Sequence, residues 1–410
     1  MYFKEILLAV CAAAALSCAA PPQPKGLPHV SPEKAGMCSA HLALIDSAAN
    51  ASVALGEIPG AVIGIVRQGN IVYEKAFGYK SLLPAREPMT METLFDLASL
   101  SKCVGTTLSV MQLVERGQLR LMDPVSRYIP GFLPWVDSGT GEKVEITVQH
   151  LLTHSSGLDA YADVAAYVKE SGAGTPEAFI GYIAARAGRN FRPGTAQLYS
   201  CLNFVTLQHI LQRITGQRLC DYAQQHIFDV LGLEHTTYFP LDGAPVKPEL
   251  AALCAPTEVQ EDGLPLVAAV HDPIARIINQ GNSGNAGVFS NVEDLAVIAA
   301  SLLGDGSWNG RRILAPQTVR KMFEVPSINA PEVARALGWD TYYTGPYTSG
   351  DIFETENLRG HTGYTGTSII LDPDTDTAVI ILTNRVHPHD GGSVARLRAV
   401  VASIAAAAIR

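Results

Sequence analysis

Ser99 and Lys102 stand three residues apart at the head of an apolar stretch, LFDLASLSKCVGTTLSV, residues 94–110. In a helix, positions i and i+3 share a face, so the lysine amine can reach the serine oxygen. A serine hydroxyl is a poor nucleophile until a base takes its proton, and this pair offers that chemistry. A plainer reading competes with it: Ser99 caps a helix and Lys102 is solvated. Ser101 falls about 200° round the helix from Ser99 and is expected to face away from Lys102. Elsewhere, His154 lies in HLLTHSSGL, which reads as a structural helix and turn. His387, His389 and Asp390 have a hint of metal spacing, but Pro388 divides their post-strand loop and no metal is expected there. No C-x-x-C occurs, so a zinc knuckle or redox pair is not expected. Cys38, Cys103, Cys201, Cys220 and Cys254 read as free, buried thiols.

The elements that must hold these groups can be read from periodicity. Residues 39–55 read as a helix with alanine and leucine on one face. Residues 61–79 read as a β-hairpin, two β-branched runs flanking Gln68-Gly69-Asn70. Residues 366–386 repeat the pattern around Pro373-Asp374, and 391–409 return to an alanine-rich helix. Between them, residues 100–335 are dominated by helical segments and loops. This predicts an α/β (α+β) fold: an antiparallel sheet from both chain ends, flanked by helices, with a mostly helical region inserted. After Ser99, a stripe of Leu100, Val104, Leu108, Met111 and Glu115 predicts an amphipathic helix stopped by Gly117. Its N-terminus favours negative charge beside Ser99. A second helix is expected from Asn203, its N-cap, to Ile214, with Gly216 ending it. Tyr199 then falls in the loop just before that helix.

The chain has 410 residues, 47% hydrophobic and 17% charged. A chain of that length implies a two-lobed or discontinuous architecture. The low charge content implies a compact fold without a long disordered tail. A net charge of -9 and the absence of a basic stripe exclude a nucleic-acid partner. At the N-terminus Lys4 precedes an apolar run from Ile6 to Leu16, followed by small residues and Pro21-Pro22. Residues 1–20 are expected to be a signal peptide, too short to span a bilayer. Cys18 sits where a lipoprotein signal places its acylated cysteine; a lipid anchor there and simple cleavage both stay open. The mature chain is expected to work outside the cytoplasm. It is assigned one domain, 27–410, with a sheet lobe 27–98 and 336–410 and a helical lobe 99–335.

The stretch FDLASLSK resembles the nucleophile motif of the serine β-lactamase and penicillin-binding protein superfamily. ITVQHLLTHSSGL, 146–158, resembles the segment that follows it in class C-like members. RPGTAQLYSCLNF, 192–204, resembles the second motif, Tyr-x-Asn, and LRGHTGYTGTSIILDP, 358–373, the third, Lys-Thr-Gly, in a His-Thr-Gly form. HDPIARIINQGNSGNAGVFS, ALGWD and LTNRVHP are similar to one branch, which holds family VIII-type esterases, D-alanyl-D-alanine carboxypeptidases and muropeptide amidases. The resemblance implies that Ser99 is acylated, that Lys102 is its proton partner and that Tyr199 is the general base. It implies an oxyanion hole from the backbone N–H groups of Ser99 and Tyr364, and substrate contacts from His361, Thr362, Gly363 and Cys201. Trp339, in ALGWD, is a candidate pocket residue, with a core position as the alternative.

Two positions depart from the family pattern. Cys201 replaces the asparagine of Tyr-x-Asn, and a thiol is too weak a donor to replace an amide. His361 replaces the lysine of Lys-Thr-Gly and is largely neutral at pH 7. Both argue against efficient β-lactam turnover. The expected protein is an extracytoplasmic serine hydrolase without cofactor, acting on a small-molecule or peptide substrate such as a peptidoglycan-derived peptide or amide. A carboxylesterase on short acyl esters is the first alternative, and a penicillin-binding or sensor protein of weak turnover the second. The oligomeric state stays open.

Overall fold

The computed structural model describes residues 26–410 apart from 173, 242–246, 342–348 and 354–355. The signal-peptide and Cys18 expectations therefore lie outside the described residues. No described helix is long and apolar enough to cross a membrane.

A seven-stranded antiparallel sheet forms from both ends of the chain. Its strands are β1 (Gly60–Arg67), β2 (Asn70–Ser81), β3 (Glu87–Pro88), β4 (Asp340–Thr341), β5 (Arg359–Thr362), β6 (Ser368–Asp372) and β7 (Thr377–Thr383), in the order β4-β5-β6-β7-β1-β2-β3. The first hairpin turns on Gln68 (φ 51°) and Gly69 (φ 67°), a two-residue turn with both residues left-handed. Asn70, expected in the turn, opens β2 and donates its side-chain N–H to the Gln68 carbonyl at 2.6 Å.

Both faces of the sheet are covered. On one, Ile63, Ile65, Val379 and Ile381 pack against the helices Leu44–Ala54 and Ala395–Ala408. On the other, Val62, Ile380 and Leu382 join the core of the central region, including the helix Val292–Leu303. Gly64 is what lets that helix approach: a Cβ there would sit 2.4 Å from Val292 Cγ1.

A second, three-stranded sheet of Phe95–Asp96, Thr237–Tyr238 and Val288–Ser290 leads the chain into Ser99. Residues 100–115 then form one helical stretch, with π turns over Lys102–Thr107 and α turns over Leu108–Glu115. The expected amphipathic stripe is absent, because residues 100–113 are buried on every side. The polar residues that imitated a solvent face all have internal partners. Thr106 Oγ1 donates to the Gly284 carbonyl at 2.7 Å, and Ser109 Oγ to the Gly105 carbonyl at 2.7 Å. Ser101 does turn away from Lys102, but into the core, where its Oγ accepts from Val288 N–H at 2.9 Å. Gly117 (φ 69°) ends the stretch as expected.

Candidate active site

The nucleophile turn is held from three directions. The Leu97 N–H donates to the Val288 carbonyl at 2.9 Å, tying the approach to the small sheet. Asp96 accepts from the Ala98 N–H at 2.8 Å and from the His271 N–H at 2.7 Å. Ala98 is left-handed (φ 46°), a costly conformation for alanine, and it forces the sharp change of direction that presents Ser99. The third hold is Gly363, where a Cβ would lie 2.4 Å from the Leu97 carbonyl oxygen. Only glycine lets the loop after β5 lie this close to the serine.

Lys102 is fully buried, and its Nζ donates to Ser99 Oγ at 2.9 Å and to the Asn285 carbonyl at 2.8 Å. Cys201 Sγ is 3.6 Å away. The Tyr199 ring centroid lies 5.1 Å from Nζ. Burial disfavours charge on Lys102, but Cys201, Tyr199 and Asp272 around it outweigh that, and the net direction of its pKa is upward. Tyr199 moves up as well: burial of its hydroxyl end raises it, and Lys102 and Ser99 pull only part of the way back. Its ring, by contrast, lines the cleft and leaves the residue 36% exposed. The resting pair is thus an ammonium beside a neutral phenol, with the serine oxygen accepting from the ammonium; the pair must lose one proton before it can take the serine's. A serine oxygen with two such proton carriers in reach can attack a carbonyl and hand on its proton.

His154 takes the structural part expected of it. It is buried and left-handed (φ 52°), and its ring lies 4.4 Å from that of Tyr199. Its Nδ1 accepts from the Ser200 N–H at 3.0 Å and faces the Asn203 amide at 3.1 Å. Burial pushes its pKa well down, so it stays neutral. Asn203 is not an N-cap. The helix runs Cys201–Thr215 with Ser200 as the capping residue, and Asn203 is buried in its first turn, accepting from Ser156 Oγ at 2.6 Å. The short side chain that resembled a cap binds a neighbouring loop instead.

Ser99, Tyr199, His361, Thr362, Gly363 and Tyr364 line one lobe of a cleft, of about 410 Å³. Arg335, Arg385 and Arg398 form an arginine wall in that lobe, with Arg335 paired to Asp340, which also lines it, and Arg385 to Asp390. His361 is buried and neutral, its pKa held well down by burial and then by Arg335 and Lys102. Its Nδ1 lies 2.8 Å from the Thr362 carbonyl, which can only accept, so the ring proton is on Nδ1 and Nε2 is an acceptor. A second lobe, of about 400 Å³, shares Ser99, Tyr199 and Tyr364 with the first and adds Tyr161, Cys201, Pro273 and Ala286. Its walls are mainly apolar. Burial raises the Cys201 thiol, which is therefore neutral there. The Ser99 and Tyr364 N–H groups donate to no partner among the described residues.

Trp339 is not in the cleft. It is 0% exposed in the core, edge-on to Phe323 with centroids 5.7 Å apart. Its neighbours Arg335 and Asp340 reach the cleft instead. Both ring nitrogens of His387 are engaged by backbone, Nε2 by the Leu82 N–H at 2.9 Å and Nδ1 by the Thr257 carbonyl at 2.9 Å. The five cysteines among the described residues are free, and Cys103 is packed in the core as expected, but Cys38 and Cys201 are half-buried rather than buried. Sequence reasoning missed Asn285, Asp272 and Arg335. Asn285 closes the Gly-Asn-Ser-Gly-Asn run 281–285, whose polar density was the available signal. Its side chain donates to Asp272 at 3.0 Å while its carbonyl accepts a hydrogen bond from Lys102 Nζ. Arg335 Cζ stands 5.7 Å from the Tyr199 ring centroid, and no local pattern announces it.

The chain is 30% identical over 398 residues to an N-acetylmuramyl-L-alanine amidase of Bacillus subtilis, covering 87% of this chain and 84% of that one. It is 31% identical over 380 residues to a protein named "Putative D-alanyl-D-alanine carboxypeptidase" of Escherichia coli, covering 87% and 85%. The solved structure of EstCE1, a hydrolase with promiscuous acyltransferase activity, superposes with a TM-score of 0.70 at 24% identity, over 90% of this chain and 99% of that one. The β-lactamase family model matches residues 45–403, a span that runs from the helix before β1 to the last helix and takes in Ser99, Lys102 and Tyr199. The chain belongs to the β-lactamase family and is a serine hydrolase of that family.

Proposed function

We propose that this protein is an extracytoplasmic hydrolase that cleaves an amide in peptidoglycan-derived peptides through an acyl-enzyme on Ser99. The observation that carries the reading is the 2.9 Å contact of Ser99 Oγ with buried Lys102, closed over by Tyr199. Once the Lys102–Tyr199 pair has lost one proton to solvent, Ser99 Oγ attacks the substrate carbonyl and its proton passes to the pair. The oxyanion is held by the N–H groups of Ser99 and Tyr364. The pair returns the proton to the leaving amine as the C–N bond breaks. Water, deprotonated by the same pair, then attacks the acyl-enzyme and frees the acid and Ser99. Export is read from the leader-like residues 1–20, and the substrate class from the relatives' names together with the arginine wall, which suits a peptide carboxylate. The second lobe favours a second reading, an ester with an apolar acyl group, because its lining is mainly apolar, Pro273 and Ala286 included.

The test is intact-mass spectrometry after a fluorophosphonate probe, run with hydrolysis assays on defined muropeptides and p-nitrophenyl esters. One adduct on wild type and none on Ser99→Ala is expected, with muropeptides cleaved faster than esters. Faster ester turnover would move the assignment to the second reading. An adduct that survives Ser99→Ala would remove the mechanism itself.

A further inference from the structure

β2 carries a carboxylate where the fold packs its core. Glu74 stands directly opposite Gly64 in the sheet register. Opposed residues share a face, and the Gly64 face is the one met by Val292, so Glu74 points at the first turn of the helix Val292–Leu303. Its side chain is only 6% exposed, and Oε1 is enclosed without a hydrogen-bond partner among the described residues. A buried polar atom in this condition calls for a water or an ion.

What surrounds it points to an ion. Glu293, in the first turn of the helix, brings a second carboxylate. His29 comes from the N-terminal segment, which pairs with β2 at Ile71, and its Nε2 lies 3.8 Å from Glu74 Oε2. One ligand atom from each of the three residues lies within 4.8 Å of the others. Tetrahedral zinc with bonds of about 2.0–2.2 Å needs ligand atoms about 3.4 Å apart. His29 and Glu293 are both exposed and free to close that gap.

We propose that His29, Glu74 and Glu293 bind one divalent cation of the zinc class, with water as its fourth ligand. One imidazole and two carboxylates suit a borderline cation better than magnesium or calcium. Three separate elements supply the ligands: the N-terminal segment, a central strand and the helix that packs on it. The cation clasps the start of the folded domain to its sheet, and the site is structural. None of its three ligands lines either lobe of the Ser99 cleft.

The experiment uses the full chain, stripped of metal with a chelator. Isothermal titration with zinc chloride and melting curves with and without zinc are the readouts, with magnesium as control. One zinc per chain and a Tm raised by several degrees are expected for wild type. Glu293→Gln and His29→Ala, both at exposed positions, should each weaken zinc binding by about tenfold or more. Glu74→Gln should remove the Tm response. Ester or peptide hydrolysis should be the same with and without zinc, which keeps this result separate from the function of Ser99. No saturable zinc binding to wild type overturns the site. So does equal binding in wild type, Glu293→Gln and His29→Ala.

Discussion

At the residue scale the balance of protons around Ser99 sets how the protein responds to pH. Lys102 and Tyr199 both have pKa values displaced upward, so near neutrality the pair is fully protonated. A base must first lose a proton, and both raised values move that loss to alkaline pH. We therefore expect kcat/KM to climb through the neutral and alkaline range, by about tenfold per pH unit until the pair is half deprotonated. Tyr199→Phe should lower kcat by about 10²–10⁴-fold and flatten that climb, with Tm little changed. A pH–rate profile of wild type and variant checks both; a bell centred below neutrality would contradict the assignment of the pair. Neutral His361 adds no charge to this balance. The cations that line the cleft are the arginines of the wall, two of them paired with Asp340 and Asp390.

At the element scale, the strands, their turns and the extent of the central helix were legible in the sequence, and the burial of that helix on every side was not. The hairpins at 61–79 and 366–386 announce themselves because alternation and turn chemistry are local. The helix after Ser99 misleads because serines and threonines normally mark a wet face. Here Ser101, Thr106, Thr107 and Ser109 are all buried and bonded to backbone. Two of the partners, Val288 for Ser101 and Gly284 for Thr106, lie far along the chain, where no window of sequence can see them. The same reason hid Arg335 and the carbonyl of Asn285 from the reading of the site. Ser99, Lys102 and Tyr199 were legible because each sits in a short motif of fixed spacing. Ser101 gives the matching prediction. Ser101→Ala leaves the Val288 N–H buried without an acceptor and should destabilise by about 1–3 kcal/mol. Denaturant melts should show that loss, while labelling of Ser99 by a serine-directed probe persists. Unchanged stability would mean water reaches the vacated position.

At the scale of the whole molecule, the last helix closes the structure. Leu397, Val401, Ala402 and Ala405 are buried, and with Ile45, Ile63 and Ile65 they form the outer core of the sheet. A chain stopped after residue 394 leaves that face uncovered and should be insoluble or melt without a cooperative transition. A soluble truncation with a sharp melt would show that the inserted region carries the fold alone. The two ends of the described chain are also tied to each other, Arg410 N–H donating to the Gly36 carbonyl at 2.9 Å and Cys38 N–H to the Ala408 carbonyl at 2.8 Å. β1 finds its partner in β7, with Arg67 opposite Thr377, 310 residues along the chain. That pairing governs the order of events during synthesis. Contacts of such range are slow to form, because the loop between them must be closed first. Until residue 383 has left the ribosome, β1 has only β2 beside it, and an isolated hairpin is marginal in water. The nascent chain therefore spends nearly all of its synthesis without its central sheet, dependent on whatever shields its apolar strands until the final residues arrive.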